Sequence, residues 1–178
     1  GSGCRFEAEW LRNPGLFEGE TVGGQLCFQP EKSVSRGEFL TMLVRCLDIP
    51  VESTGATALA EATPSWLRPY LAAAQRSGLV TDIPDLMDLS RPISGAEAAM
   101  MLQNALDLSM SSDVVEQTAA NDTDIPTWAY ASLTVMAENG IVLDANAPLT
   151  RADVAEVLYQ VSLLAPEAPG MAVFRIQQ

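Results

Sequence analysis

The sequence predicts an all-α fold made of three helix–loop–helix repeats, and three observations predict it. First, a six-residue phrase occurs three times: Val34-Ser35-Arg36-Gly37-Glu38-Phe39, Ile93-Ser94-Gly95-Ala96-Glu97-Ala98 and Leu149-Thr150-Arg151-Ala152-Asp153-Val154. Second, an apolar stripe of helical period follows each copy. Third, a Gly-apolar-apolar signal precedes each copy at a matching interval: Gly15, Gly78 and Gly140 stand 63 and 62 residues apart. A period of this length with three copies marks a repeat architecture.

Each phrase starts a helix. Ser35, Ser94 and Thr150 are N-cap residues, and Glu38, Glu97 and Asp153 stand three positions later, where an acid bonds back to the cap backbone. The stripes run Phe39, Met42, Leu43, Cys46, Leu47; then Ala98, Met101, Leu102, Ala105, Leu106; then Val154, Val157, Leu158, Val161. A leading helix precedes each capped helix and ends where a left-handed glycine turns the chain back. These leading helices are expected over 4–13, where Pro14 stops the first, over 64–77 and over 126–139. Pro64-Ser65-Trp66 and Pro126-Thr127-Trp128 open the second and third. Pro69 lies within the second and predicts a kink or a late start.

The expected organisation is a cloning scar at 1–3, repeat 1 over 4–49, repeat 2 over 50–108, repeat 3 over 109–164 and a tail over 165–178. The Ser-, Thr-, Ala- and acid-rich stretches 50–63 and 109–123 read as linkers, and Val173-Phe174-Arg175-Ile176 as a short strand or a packed end. One repeat of two helices cannot bury a core alone, whereas 178 residues at 48% hydrophobic content can form one domain.

Composition excludes several functions. The net charge of −13, from 23 acids and 10 bases, disfavours nucleic acid as a partner. No run approaches a membrane span, so membrane insertion is not expected. The chain has no histidine, which removes the commonest general base and metal ligand. Cys4, Cys27 and Cys46 lack zinc or redox spacing; Cys46 falls on the stripe, and Cys4 and Cys27 pair only if the fold brings them together. Asp144-Ala145-Asn146 begins like a calcium loop, but Pro148 stands fifth and no glycine stands sixth. The chain is therefore read as no enzyme, with no cofactor and no metal. Its positive charge is almost wholly arginine, which suits bidentate capture of carboxylates.

Phe28-Gln29-Pro30 with the first phrase, Pro126-Thr127-Trp128-Ala129 with Gly140-Ile141, and Pro148-Leu149-Thr150-Arg151-Ala152-Asp153 together resemble S-layer homology repeats. The resemblance runs from about Cys4 to Leu164. It implies a three-pronged spindle of pseudo-threefold symmetry, formed within a single chain here, although an oligomer is possible. It further implies an extracellular module at the bacterial cell wall, gripping an anionic and often pyruvylated secondary wall polysaccharide in grooves between repeats.

The resemblance gives the glycan-gripping role to Arg36 and Arg151, beside Ser35 and Thr150. Each arginine stands at a helix start, where free backbone N–H groups and the dipole favour an anion. Long-range repulsion by the net charge is screened beyond about 8 Å. Trp66 and Trp128 are open to two readings, a sugar-stacking surface or, more commonly for a tryptophan opening an amphipathic helix, core. Gly95 replaces the arginine in the second phrase, so at most two competent grooves are expected. The alternative function is a protein-interaction scaffold of the cell surface whose glycan sites have degenerated.

Overall fold

Each hydroxyl-x-x-acid phrase starts a helix in the computed structural model, which describes residues 20–22, 25–27, 29–52, 63–83, 88–108 and 125–164. The capped helices are α1 (Arg36–Cys46), α3 (Gly95–Leu106) and α5 (Arg151–Leu164). Between them lie the leading helices α2 (Arg68–Arg76) and α4 (Tyr130–Glu138). A short antiparallel hairpin precedes them, β1 (Glu20–Val22) and β2 (Gln25–Cys27), with Thr21 opposite Leu26. The sequence reading passed over this hairpin, although Gly23-Gly24 between the strands is a pair suited to a two-residue link. The expected leading helix 4–13, most of both linkers, the tail and Cys4 lie outside the described residues.

The leading helices start later than their opening prolines. In α2 a turn comes first, with the Leu67 N–H donating to the Pro64 carbonyl at 3.0 Å, and the helix begins at Arg68. Pro69 is thus the second helical residue, where a backbone N–H has no partner four residues back and none is lost. Of the two expected outcomes, the late start is the one found. Both helices end as the glycines predict: Gly78 and Gly140 take φ +75° and +83°. The next N–H folds back, Leu79 to Ala74 O and Ile141 to Met136 O, each at 2.9 Å, and both apolar side chains are buried.

The stripes meet in one core. Phe39, Leu43 and Cys46 of α1, Met101 and Leu102 of α3, and Val154, Leu158 and Val161 of α5 share it with Leu71 of α2 and Met136 of α4. Burial pushes the Cys46 thiol up to about 12, so it is an inert small apolar side chain.

The three phrases are joined at their first residues by a closed ring of backbone hydrogen bonds. The Val34 N–H donates to Leu149 O at 2.9 Å, Leu149 to Ile93 O at 2.9 Å, and Ile93 back to Val34 O at 3.0 Å. Isolated bridges flank the ring in the same cyclic order: Ser35 with Pro92, Ser94 with Pro148, Thr150 with Ser33. All three ring residues are buried, so each of these polar groups has its partner where water has little access.

Candidate functional site

The ring brings the start of every capped helix against the loop of a neighbouring segment. The first two N–H groups of an α-helix have no partner inside the helix. Here loop carbonyls take them: Arg36 and Gly37 donate to Arg91 O and Leu89 O, each at 2.9 Å. Gly95 and Ala96 donate to Ala147 O and Ala145 O at 3.1 and 3.0 Å, and Arg151 and Ala152 to Lys32 O and Pro30 O at 2.8 and 3.0 Å. The third N–H goes to the cap hydroxyl, from Glu38 to Ser35, Glu97 to Ser94 and Asp153 to Thr150. Each acid returns a carboxylate oxygen to the cap N–H, completing three capping boxes. The sequence left these helix N-termini open to an anion. The structure corrects that point, because their first three donors are spent within the fold.

The variable position of the phrase differs at each copy. The Arg36 side chain is buried, 3% exposed, and forms an ion pair with Glu97 of the second phrase. Its Nη1 also donates to the Asp88 carbonyl at 3.3 Å. Glu97 therefore has two roles, one oxygen accepting from Arg36 and the other from the Ser94 N–H at 3.0 Å. Arg151 is buried as well, at 6% exposure. At Gly95 there is no room for a side chain: a Cβ there would fall on the Asp144 carbonyl, 2.8 Å from its carbon and far inside contact with its oxygen.

Beside the first phrase lies a groove of about 710 Å³. Ser33, Ser35 and Glu38 form one wall, Thr63, Pro64, Trp66 and Leu67 another, and Asp88, Leu89, Ser90 and Pro92 close it. Trp66 is 54% exposed and presents aromatic surface to this groove. Trp128, in the matching turn before α4, is 39% exposed. Neither tryptophan is core, so the commoner of their two expected placements is the wrong one. Both stand in the turn ahead of the helix, off its buried face. Asp88 accepts from the Ser90 hydroxyl at 2.6 Å and from the Ser90 N–H at 3.1 Å, and these bonds hold its carboxyl below the usual range.

A second cavity, about 300 Å³, lies between the 140–149 loop and α5 and includes Asp144, Asp153 and Glu156 in its lining. Among the described residues no cluster of three or more acid, Cys or His side chains is placed to hold a metal.

Of the residues singled out in the sequence, Ser35 and Trp66 meet in one groove, with Arg36 buried behind its wall against Glu97. At the third phrase the Arg151 N–H donates to the Lys32 carbonyl, and Thr150 is bridged to Ser33. The sequence reading missed Asp88, Ser90 and Thr63 as groove residues, and the bond between Glu97 and Arg36. One signal was present: Asp88-Leu89-Ser90 occupies the same place before its phrase as Asp144-Ala145-Asn146.

No family model matches the chain. It is 23% identical over 132 residues to the S-layer protein sap of Bacillus anthracis and 22% identical over 138 residues to an S-layer protein of Bacillus thuringiensis subsp. finitimus, covering 74% and 78% of this chain. It is 27% identical over 168 residues, 88% of the chain, to a surface-layer 125 kDa protein of Lysinibacillus sphaericus. The chain spans only 14–16% of the length of these relatives. Among the described residues no helix is long and apolar enough to cross a membrane.

Proposed function

We propose that this chain, whose homologues are bacterial S-layer proteins, is a non-catalytic cell-surface module that anchors its protein to a secondary wall polysaccharide. The polymer class is the anionic, pyruvylated kind implied by the resemblance. The observation that carries the reading is the groove at the first junction, where an exposed tryptophan, three serines and a threonine line a cleft large enough for a sugar residue. Aromatic faces cover the apolar face of a sugar ring, while short hydroxyl side chains exchange hydrogen bonds with its rim. The ring of backbone bonds and the capping boxes hold the walls of the cleft, so little ordering is needed on binding.

In this reading Ser35 and Trp66 touch the glycan. Arg36 is a positioning residue, holding α1 to α3 through Glu97. Thr150 and Arg151 have the matching roles at the third phrase, and Trp128 is a second stacking surface.

Co-sedimentation with Bacillus sacculi, with and without their polysaccharide, tests the proposal. Retention that disappears when the polymer is stripped, and that falls about tenfold in Trp66→Ala, is the expected result. Retention on stripped and intact sacculi alike sinks it and favours a protein-interaction role.

A further inference from the structure

We infer that a clasp between the first and third phrases closes the three repeats into one all-or-none unit, in which no repeat folds or unfolds ahead of the others. An open array of repeats, each touching only its neighbours, has two free ends, and its end repeats open first. Here the first and third phrases are joined directly. Val34 donates to the Leu149 carbonyl at 2.9 Å, while Arg151 and Ala152 donate to the Lys32 and Pro30 carbonyls at 2.8 and 3.0 Å. Ser33 pairs with Thr150 between these bonds in an antiparallel bridge. The helices behind the clasp follow it, since α1 packs on α5 as well as on α3.

The bonding pattern makes a half-open state costly. Each ring residue donates one bond and accepts another, so withdrawing Leu149 alone strands two partners, the Val34 N–H and the Ile93 carbonyl. Both residues are buried, and a buried polar group without a partner costs more than its bond contributed. The helix starts are linked in the same cycle. α1 gives its first two N–H groups to the loop before the second phrase, α3 to the loop before the third, and α5 to the segment before the first. Drawing the 30–32 segment away therefore releases the start of the last helix. The core acts in the same direction, because Val154, Leu158 and Val161 of α5 lie in the cluster that holds Phe39 and Leu43 of α1. Peeling α5 away uncovers the first repeat as well as the third, so neither repeat is a free end.

Ala152→Pro in the whole chain tests the clasp, because Ala152 is the second residue of α5 and Arg68-Pro69 already places a proline at that position of α2. The substitution removes the donor to Pro30 and no bond within the helix. Two backgrounds, Trp10→Phe with Trp128→Phe and Trp10→Phe with Trp66→Phe, each leave one tryptophan, reporting on the second repeat or the third. In each, urea unfolding is followed by tryptophan fluorescence and by helical circular dichroism. One transition is expected, with the two signals agreeing within about 0.2 M urea, and Ala152→Pro lowers the midpoint by about 0.5 M or more in both backgrounds. Signals that part by more than this, or a smaller fall in either background, overturn the inference. Hydrogen exchange of the unsubstituted chain gives a second reading that does not depend on the proline variant folding. Protection of the Val34, Ile93 and Leu149 amides is expected to agree within about tenfold, set by global unfolding. A wider spread means that the ring opens piece by piece, and overturns the all-or-none unit.

Discussion

The junction of the first phrase with the 88–92 loop and that of the second phrase with the 144–148 loop have the same backbone and opposite contents. Each presents two helix N–H groups to two loop carbonyls at 2.9 to 3.1 Å. At the first junction the loop stands back, and the Arg36 side chain runs into the space to reach Glu97 and the Asp88 carbonyl. At the second the Asp144 carbonyl occupies that space, and only glycine fits. The repeated backbone thus makes the fold, while the variable position records how closely each loop approaches. Loss of the arginine from the second phrase is a packing event as much as a loss of charge.

The largest break in this comparison is Arg36→Ala. Removing one partner of a buried pair leaves the other as an uncompensated charge and costs about 3–5 kcal/mol. Here Glu97 is left with its Ser94 bond alone among the contacts described above. Urea unfolding measures the loss. Combining Arg36→Met with Glu97→Gln, which keeps a capping residue at that position, is expected to recover at least half of it. A cost under about 1 kcal/mol for Arg36→Ala would show that the pair does not hold the junction together.

Gly95→Ala is the next largest. At an exposed helical site this change stabilises by about 0.5–1 kcal/mol, because glycine is the more flexible residue in the unfolded chain. Here the new Cβ meets backbone rather than a yielding side chain, so the sign reverses and the expected loss is about 2–3 kcal/mol. The contrast with Gly37 sharpens the point, because there the nearest obstacle is the Leu67 side chain, with the Leu89 carbonyl at 3.2 Å. Gly37→Ala should cost less than Gly95→Ala in the same unfolding assay. Equal costs would mean that the second junction is no tighter than the first.

These junctions show why parts of the molecule were legible in the sequence and parts were not. Helix starts and ends depend on local chemistry, so Ser35 with Glu38, Ser94 with Glu97, Gly78 and Gly140 announce themselves within a few residues. Core positions follow from the period of the stripes, and Cys46 is read correctly because its neighbours set its face. Contacts between segments are different. That Glu97 meets Arg36 across 61 residues, or that Asp144 closes the space at Gly95, depends on the ring at Val34, Ile93 and Leu149, which no local pattern encodes. The tryptophans illustrate the same boundary. Their place at a helix opening was visible, but their exposure, in the turn ahead of the helix and off its buried face, was not. For the same reason the groove was anticipated as a kind of site, while its acidic lining from Glu38 and Asp88 was not.

The smallest effect separates what the first junction does from what it merely shares with the second. Ser35 and Ser94 cap their helices through the same pair of bonds, to Glu38 at 3.2 and 2.8 Å and to Glu97 at 3.3 and 3.0 Å. Replacing either with alanine removes one side-chain cap and is expected to cost about 1 kcal/mol, equally at both sites. Only Ser35 lines the Trp66 groove. Ser35→Ala should therefore weaken polysaccharide binding as well as stability, whereas Ser94→Ala lowers stability and leaves affinity unchanged, when both are titrated well below their unfolding transitions. Equal stability losses with unequal affinities would separate the duty of the phrase in folding from its duty in binding. Equal affinities would place the glycan away from the first junction and return the phrase wholly to the fold.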